Sequence, residues 1–127
     1  MILLDTCAFL YATFEPTKLS ARATRVLSSR DRQLAWSPVS TWEILTKAAL
    51  GRMDYPENAL TCLEPGLREL NAIILPFEQQ HALAGARLPP HHRDPFDRML
   101  IAQALHEHLS VVTADRQWAA YGVDVIW

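Results

Sequence analysis

Short apolar runs alternate along the chain with longer stretches in which apolar residues recur every three or four positions. The runs lie at residues 1–4, 33–36, 72–75, 110–113 and 123–127. Their length and near-continuous hydrophobicity predict strands buried on both faces. Between them the helical period predicts helices over residues 7–13, 18–30, 38–50, 57–71 with a break near Pro65-Gly66, 78–86 and 95–108, and one or two turns over 115–121. Strands alternating with helices predict an α/β fold: a mostly parallel sheet of about five strands with helices on both faces. Trp42, Ile44 and Leu45, like Met99, Leu100, Ile101 and Leu105, are expected in the core.

With 127 residues, half of them hydrophobic and 20% charged, the chain suits one compact domain over 1–127. It has no internal repeat, low-complexity tract or Gly/Ser linker. No apolar run approaches the roughly 20 residues that cross a bilayer, and Met1-Ile2-Leu3-Leu4-Asp5 lacks the flanks of a signal peptide. A cytosolic location is therefore expected. Cys7 and Cys62 lack the paired spacing of a zinc site and are expected to be free, mostly buried thiols.

The formal charge of −2 offers no bulk attraction for nucleic acid. Four of the fourteen acids, however, are candidate site residues, and two bound divalent cations would bring the total to +2. Ten of the twelve basic residues are arginines, which suit bidentate phosphate contacts better than lysines do. Net charge thus leaves a nuclease open.

Ligands of an open parallel sheet bind at the carboxyl ends of its strands, where the following helices begin with unpaired N–H groups. Asp5 directly follows the first predicted strand, and Asp115 comes two residues after Thr113 closes the fourth. Glu43 lies in the first turns of the helix after Trp36, and Asp97 in the first turn of the helix opened by Asp94-Pro95. All four then share one edge of the sheet. Each also has a plainer explanation. Ser40-x-x-Glu43 fits a capping box, with Ser37-Pro38 as a rival start for the same helix. Asp94 suits an N-cap and no more, with Asp97 complementing the helix dipole, while Asp5 and Asp115 suit turn initiation.

Together these explanations weaken, because four converging carboxylates repel one another, raise their pKa values and destabilise the fold unless a cation compensates. A hard divalent ion bound through oxygen is the natural compensation. Mg2+ or Mn2+ fits better than zinc, since no histidine or cysteine pair stands at ligand spacing beside these acids. Metal-assisted hydrolysis of a phosphate ester is the chemistry that follows.

The chain resembles PIN-domain ribonucleases, and in particular the VapC toxins of toxin–antitoxin pairs. The resemblance runs from Leu3-Leu4-Asp5-Thr6 through Ser40-Thr41-Trp42-Glu43-Ile44 and Lys47 to Gly51, then His92-Arg93-Asp94-Pro95-Phe96-Asp97-Arg98 and Ile101-Ala102-Gln103-Ala104. It ends with Val112-Thr113-Ala114-Asp115, Tyr121-Gly122-Val123 and Val125-Ile126-Trp127, and is weak only over 54–85. It implies that Asp5, Glu43 and Asp97 bind Mg2+ or Mn2+, with Asp115 completing the set directly or through water, and that Thr6 and Thr113 are supporting hydroxyls. It also implies an RNA substrate, a homodimer, and a small antitoxin in a groove among the N-terminal helices, where Leu10, Tyr11 and Phe14 are candidate contacts.

His91, His92, Arg93, Arg98 and Arg116 could hold RNA phosphates near the metal, with Arg93 and Arg98 the chosen candidates, set against an ion pair for Arg98 and a solvated loop for His91 and His92. His106 and His108 face different directions on one helix and form no metal pair. A phosphoryl-accepting aspartate protein is disfavoured: Asp5-Thr6-Cys7 lacks a second aspartate two residues on, and neither Lys18 nor Lys47 follows a later strand. A non-catalytic PIN-like interaction module is the other alternative, and the complete acidic set argues against it.

Overall fold

The computed structural model describes residues 1–53 and 56–127, leaving the side chains of 56–58 undescribed; the first two positions of the weakly matching stretch thus lie outside the described residues. The strands are β1 (Ile2–Leu4), β2 (Leu34–Trp36), β3 (Ala72–Ile74), β4 (Ser110–Val112) and β5 (Val125–Ile126). Between them run α1 (Thr6–Phe14), α2 (Ala21–Ser28), α3 (Pro38–Ala49), α4 (Pro56–Glu69), α5 (Gln79–Arg87) and α6 (Pro95–His106), with short 3-10 turns at Pro16–Lys18 and Arg116–Tyr121. Every strand pairing is parallel, in the order β3-β2-β1-β4-β5. The α/β architecture read from the hydrophobic pattern is the one observed.

Alternation along the central strands divides the core in two. Ile2, Leu4, Leu34, Trp36 and Val112 pack on one face against Phe9, Leu27 and Leu63 from α1, α2 and α4. Leu3, Ala35 and Val111 pack on the other against Leu100, Ile101 and Ala104 of α6 and against Trp118. These strands are buried on both faces, as expected. The edge strand β3 is not: Ile73 and Ile74 are exposed, because β3 pairs only with β2 and the helix after it, α5, packs on α6.

Four local expectations are corrected. Helix α4 runs unbroken through Pro65. A proline inside a helix costs about 3 kcal/mol, but here Leu63 and Leu67 are anchored in the core on either side of it. Gly66 permits the close approach, since a Cβ there would meet the Phe9 ring at 3.0 Å. Helix α2 begins after Lys18, because the Ser20 hydroxyl caps it by accepting from the Ala23 N–H at 3.0 Å. On α3, burial of Glu43 and Ile44 turns Trp42 and Leu45 outward, so these two are exposed instead of core. Cys7 and Cys62 are free, but Cys7 is exposed and Cys62 half-buried, since α1 turns Ala8 and Phe9 inward instead. Among the described residues no helix is long and apolar enough to cross a membrane.

Candidate active site

The strand order reverses between β1 and β4, and a crevice opens beyond their carboxyl ends at such a reversal. Asp5 leaves β1 there and is buried. Its carboxylate accepts from the Thr113 hydroxyl at 2.9 Å, just past β4, and from the Thr6 backbone N–H. These bonds favour the charged form but do not prevail. Burial, followed by the charges of Asp97 and Glu43, pushes Asp5 up to about 8. The Thr6 hydroxyl is buried beside it without a hydrogen-bond partner among the described residues.

Glu43 reaches the crevice from α3. Ser37 caps that helix, accepting from the Val39 N–H at 3.2 Å, with Pro38 in the first turn. The start is therefore Ser37-Pro38 and not the Ser40 capping box, and the Ser40 hydroxyl has no partner among the described residues. Glu43 is thus free of the capping duty that its spacing allowed. It is buried, with Oε1 paired to Lys47 and Oε2 unpartnered among the described residues.

Helix α6 contributes Asp97. Asp94 caps it, accepting from the Phe96 N–H at 2.8 Å, but also lies 3.5 Å from the Lys47 ammonium. Its part is larger than capping alone. Carboxylate oxygens of Glu43, Asp94 and Asp97 all fall within 4.8 Å of one another. Burial, then the charges of Asp94 and Glu43, push Asp97 up to about 7, against the opposing influence of His92 and Lys47.

His92 sits closer to the acids than either sequence reading, a phosphate contact near the metal or a solvated loop residue, placed it. It is no solvated loop residue: Nε2 lies 2.9 Å from Asp97 Oδ2 and 2.8 Å from Asp115 Oδ2, clipping the two acids together. Its Nδ1 accepts from the Asp94 N–H at 3.1 Å, so a neutral ring carries its proton on Nε2, facing the acids. A protonated nitrogen cannot ligate a metal. The donors left in the crevice are therefore carboxylate oxygens, as a hard cation prefers. The available signal was His92-x-Asp94, but it becomes legible only once the loop folds back.

Asp115 divides its carboxylate: Oδ2 meets His92, while Oδ1 accepts from the Gln117 N–H at 2.8 Å and opens the 3-10 turn. Asp115 thus initiates a turn and also faces the site. Its own N–H donates to the Thr113 hydroxyl at 3.1 Å, linking it to Asp5 through one threonine. Asp5 belongs to neither close trio of side chains, Glu43–Asp94–Asp97 or His92–Asp97–Asp115. It joins the cluster through the charges of Asp97 and Glu43.

Arg93 is exposed. Arg98 forms no ion pair among the described residues: its guanidinium donates to the carbonyls of Leu88 at 2.7 Å, Pro89 at 2.9 Å and Gly85 at 3.2 Å. These bonds hold the loop that carries His92. Beside Glu43 opens a cleft of about 210 Å³ lined by Thr6, Cys7, Leu10, Tyr11 and Lys47.

The residues fit a divalent cation. A buried, unpartnered Glu43 oxygen and two carboxyls held well above their ordinary range form an arrangement that a cation would relieve.

The fold has close counterparts among solved structures. A chain of the VapBC2 complex from Rickettsia felis, bound to a promoter DNA fragment, superposes with a TM-score of 0.75 at 16% identity, covering 98% of this chain and 97% of that one. A chain of the DNA-bound VapBC complex from Salmonella typhimurium gives 0.74 at 17%, with 98% and 95% covered. A chain of FitAcB from Neisseria gonorrhoeae gives 0.69 at 26%, with 98% and 96% covered. No curated protein sequence matches. The model of the PIN domain family matches residues 2–124, a span that contains all four of these acids, and the chain therefore belongs to the PIN domain family.

Proposed function

We propose that the chain is a Mg2+- or Mn2+-dependent ribonuclease, the toxin of a toxin–antitoxin pair, formed by a single domain over 1–127 and acting in the cytoplasm. The observation that carries the reading is the convergence of Asp5, Glu43, Asp97 and Asp115 on the switch point of the sheet, with a buried Glu43 oxygen left bare. A structural cluster has no use for such repulsion, which argues against the non-catalytic module.

Asp5, Glu43 and Asp97 are the residues that would hold the cation, with Asp115 beside them. The cation supplies the acidity that activates a water and polarises the phosphodiester. Thr113 orients Asp5 and, through the Asp115 N–H, the strand end that carries Asp115. His92 keeps Asp97 and Asp115 at fixed separation. Arg93, exposed at the rim, is assigned to an RNA phosphate. Arg98 keeps charge near the site, but its donors are engaged with loop carbonyls, which favours positioning over substrate contact.

The cleft beside Glu43, with Leu10 and Tyr11 in its wall, is assigned to the antitoxin, whose basic side chain would meet the acids there. A chain of a toxin–antitoxin complex from Klebsiella pneumoniae shares this fold, with a TM-score of 0.64 at 16% identity over 100% of this chain and 97% of that one, which supports such a partner. A homodimer belongs to the same reading.

The test is cleavage of end-labelled RNA and of single-stranded DNA of the same sequence, with Mg2+, Mn2+ or EDTA. RNA cutting that needs the cation supports the assignment. A preference for DNA, or cutting in EDTA, would overturn it.

A further inference from the structure

We propose that Lys47 is a built-in counter-ion of the acidic site: it holds Glu43 while no metal is bound, yields it to a divalent cation, and so sets how much free cation the site requires. The inference rests on the metal-site reading above.

Three features of Lys47 carry it. First, it stands four residues after Glu43 on α3, so the two side chains share one helix face and meet without movement of any other element. Secondly, the same ammonium lies 3.5 Å from Asp94 Oδ2 and 5.9 Å above the Phe96 ring. It bridges two of the three acids whose oxygens converge within 4.8 Å, the place to which a metal cation would also be drawn. Thirdly, its side chain is 34% exposed and lines the open cleft, whereas Glu43 is 4% exposed. The flexible stem can swing the ammonium into water; the buried carboxylate cannot follow.

The compensation is partial by construction. One ammonium carries a single charge, and it leaves Glu43 Oε2 bare and Asp5 uncompensated. A divalent ion brings twice the charge and accepts several oxygens at once. Lysine and metal thus compete for one carboxylate, and removing the lysine charge should favour the metal while weakening the metal-free fold.

Mn2+ is titrated into metal-stripped full-length protein by calorimetry, with melting temperatures recorded in EDTA and in saturating Mn2+. Lys47→Met removes the charge and keeps the apolar stem; Lys47→Arg keeps the charge. Lys47→Met is expected to bind Mn2+ roughly tenfold more tightly, as when one partly desolvated ion pair of about 1.4 kcal/mol no longer competes. It should melt below wild type in EDTA, with the gap closing in Mn2+, and Lys47→Arg should behave as wild type. Lys47→Gln replaces Lys47→Met if that variant does not fold. Equal or weaker Mn2+ binding by the folded neutral variant would overturn the counter-ion role and leave the metal-site reading standing. Failure of the wild type itself to bind Mn2+ would overturn both.

Discussion

The hydroxyl of Thr113 donates to Asp5 Oδ2 at 2.9 Å across the gap between the ends of β4 and β1. The Thr113 hydroxyl oxygen also accepts from the Asp115 N–H at 3.1 Å, so one side chain ties acids from two strands into one site. Because this bond favours charged Asp5, Thr113→Val should raise the Asp5 pKa further and weaken Mn2+ binding at pH 7 by roughly tenfold, the worth of one hydrogen bond to a charged group. Thr113→Ser should bind as wild type. Calorimetric titration of the three proteins decides, and equal affinity for Thr113→Val would remove the hydroxyl from the site.

The raised acids make metal-free stability depend on pH in a defined direction. Asp5 moves from 3.8 to about 8 on folding, so between those values the folded chain binds more protons than the unfolded one. Stability from this group is fully present below its unfolded pKa and is lost as pH rises through about 8; Asp97 adds the same trend up to about 7. Denaturant unfolding in EDTA should therefore show stability falling from pH 5 to pH 8, and Asp5→Asn should flatten the decline. A wild-type profile that rises over this range would show that the carboxylates are not mutually strained.

Arg98 acts through its shape as well as its charge. Its two amino groups reach the carbonyls of Leu88 at 2.7 Å and Pro89 at 2.9 Å, a fork that a lysine cannot reproduce. Arg98→Lys should cost about 2 kcal/mol in stability despite the retained charge. Unfolding curves test this directly. Unchanged stability with weakened RNA binding would instead return Arg98 to the phosphate contacts.

Helix α3 supplies a matched pair of serines. Ser37 caps it, so Ser37→Ala should cost about 1 kcal/mol. The Ser40 hydroxyl is buried without a partner among the described residues, so Ser40→Ala should cost almost nothing or stabilise. The reverse order, measured by thermal unfolding, would restore the capping box and give Glu43 a structural duty.

Much of this arrangement was legible in the chain itself. Five apolar runs and their intervening helices were readable because β1, β2 and β4 are buried on both faces and carry continuous hydrophobicity. The edge strand β3 carries the same kind of run without the burial, because hydrophobicity alone does not record a strand's place in the sheet. The four acids were legible as residues just past strand ends, Asp5 and Asp115, or in the first turns of helices, Glu43 and Asp97, whereas the contacts of His92 and Lys47 were not. His92 joins the site by a loop that folds back until its ring reaches Asp97 and Asp115, and no sequence period encodes that return. Lys47 lies one helical turn from Glu43, a spacing common on solvated helix faces; burial of Glu43 is what distinguishes this pair. Pro65 misled for a related reason, since packing at Leu63 and Leu67 overrides a local preference.

The most direct measurement is an add-back experiment on antitoxin-free protein stripped with EDTA, following end-labelled RNA before and after Mn2+ is restored, with Asp5→Asn and Asp97→Asn alongside and their folding checked by circular dichroism. Cutting that returns with Mn2+ in the wild type and in neither folded variant is the expected result. Undiminished cutting by Asp97→Asn, or activity that persists in EDTA, would contradict a cation centre held by these carboxylates.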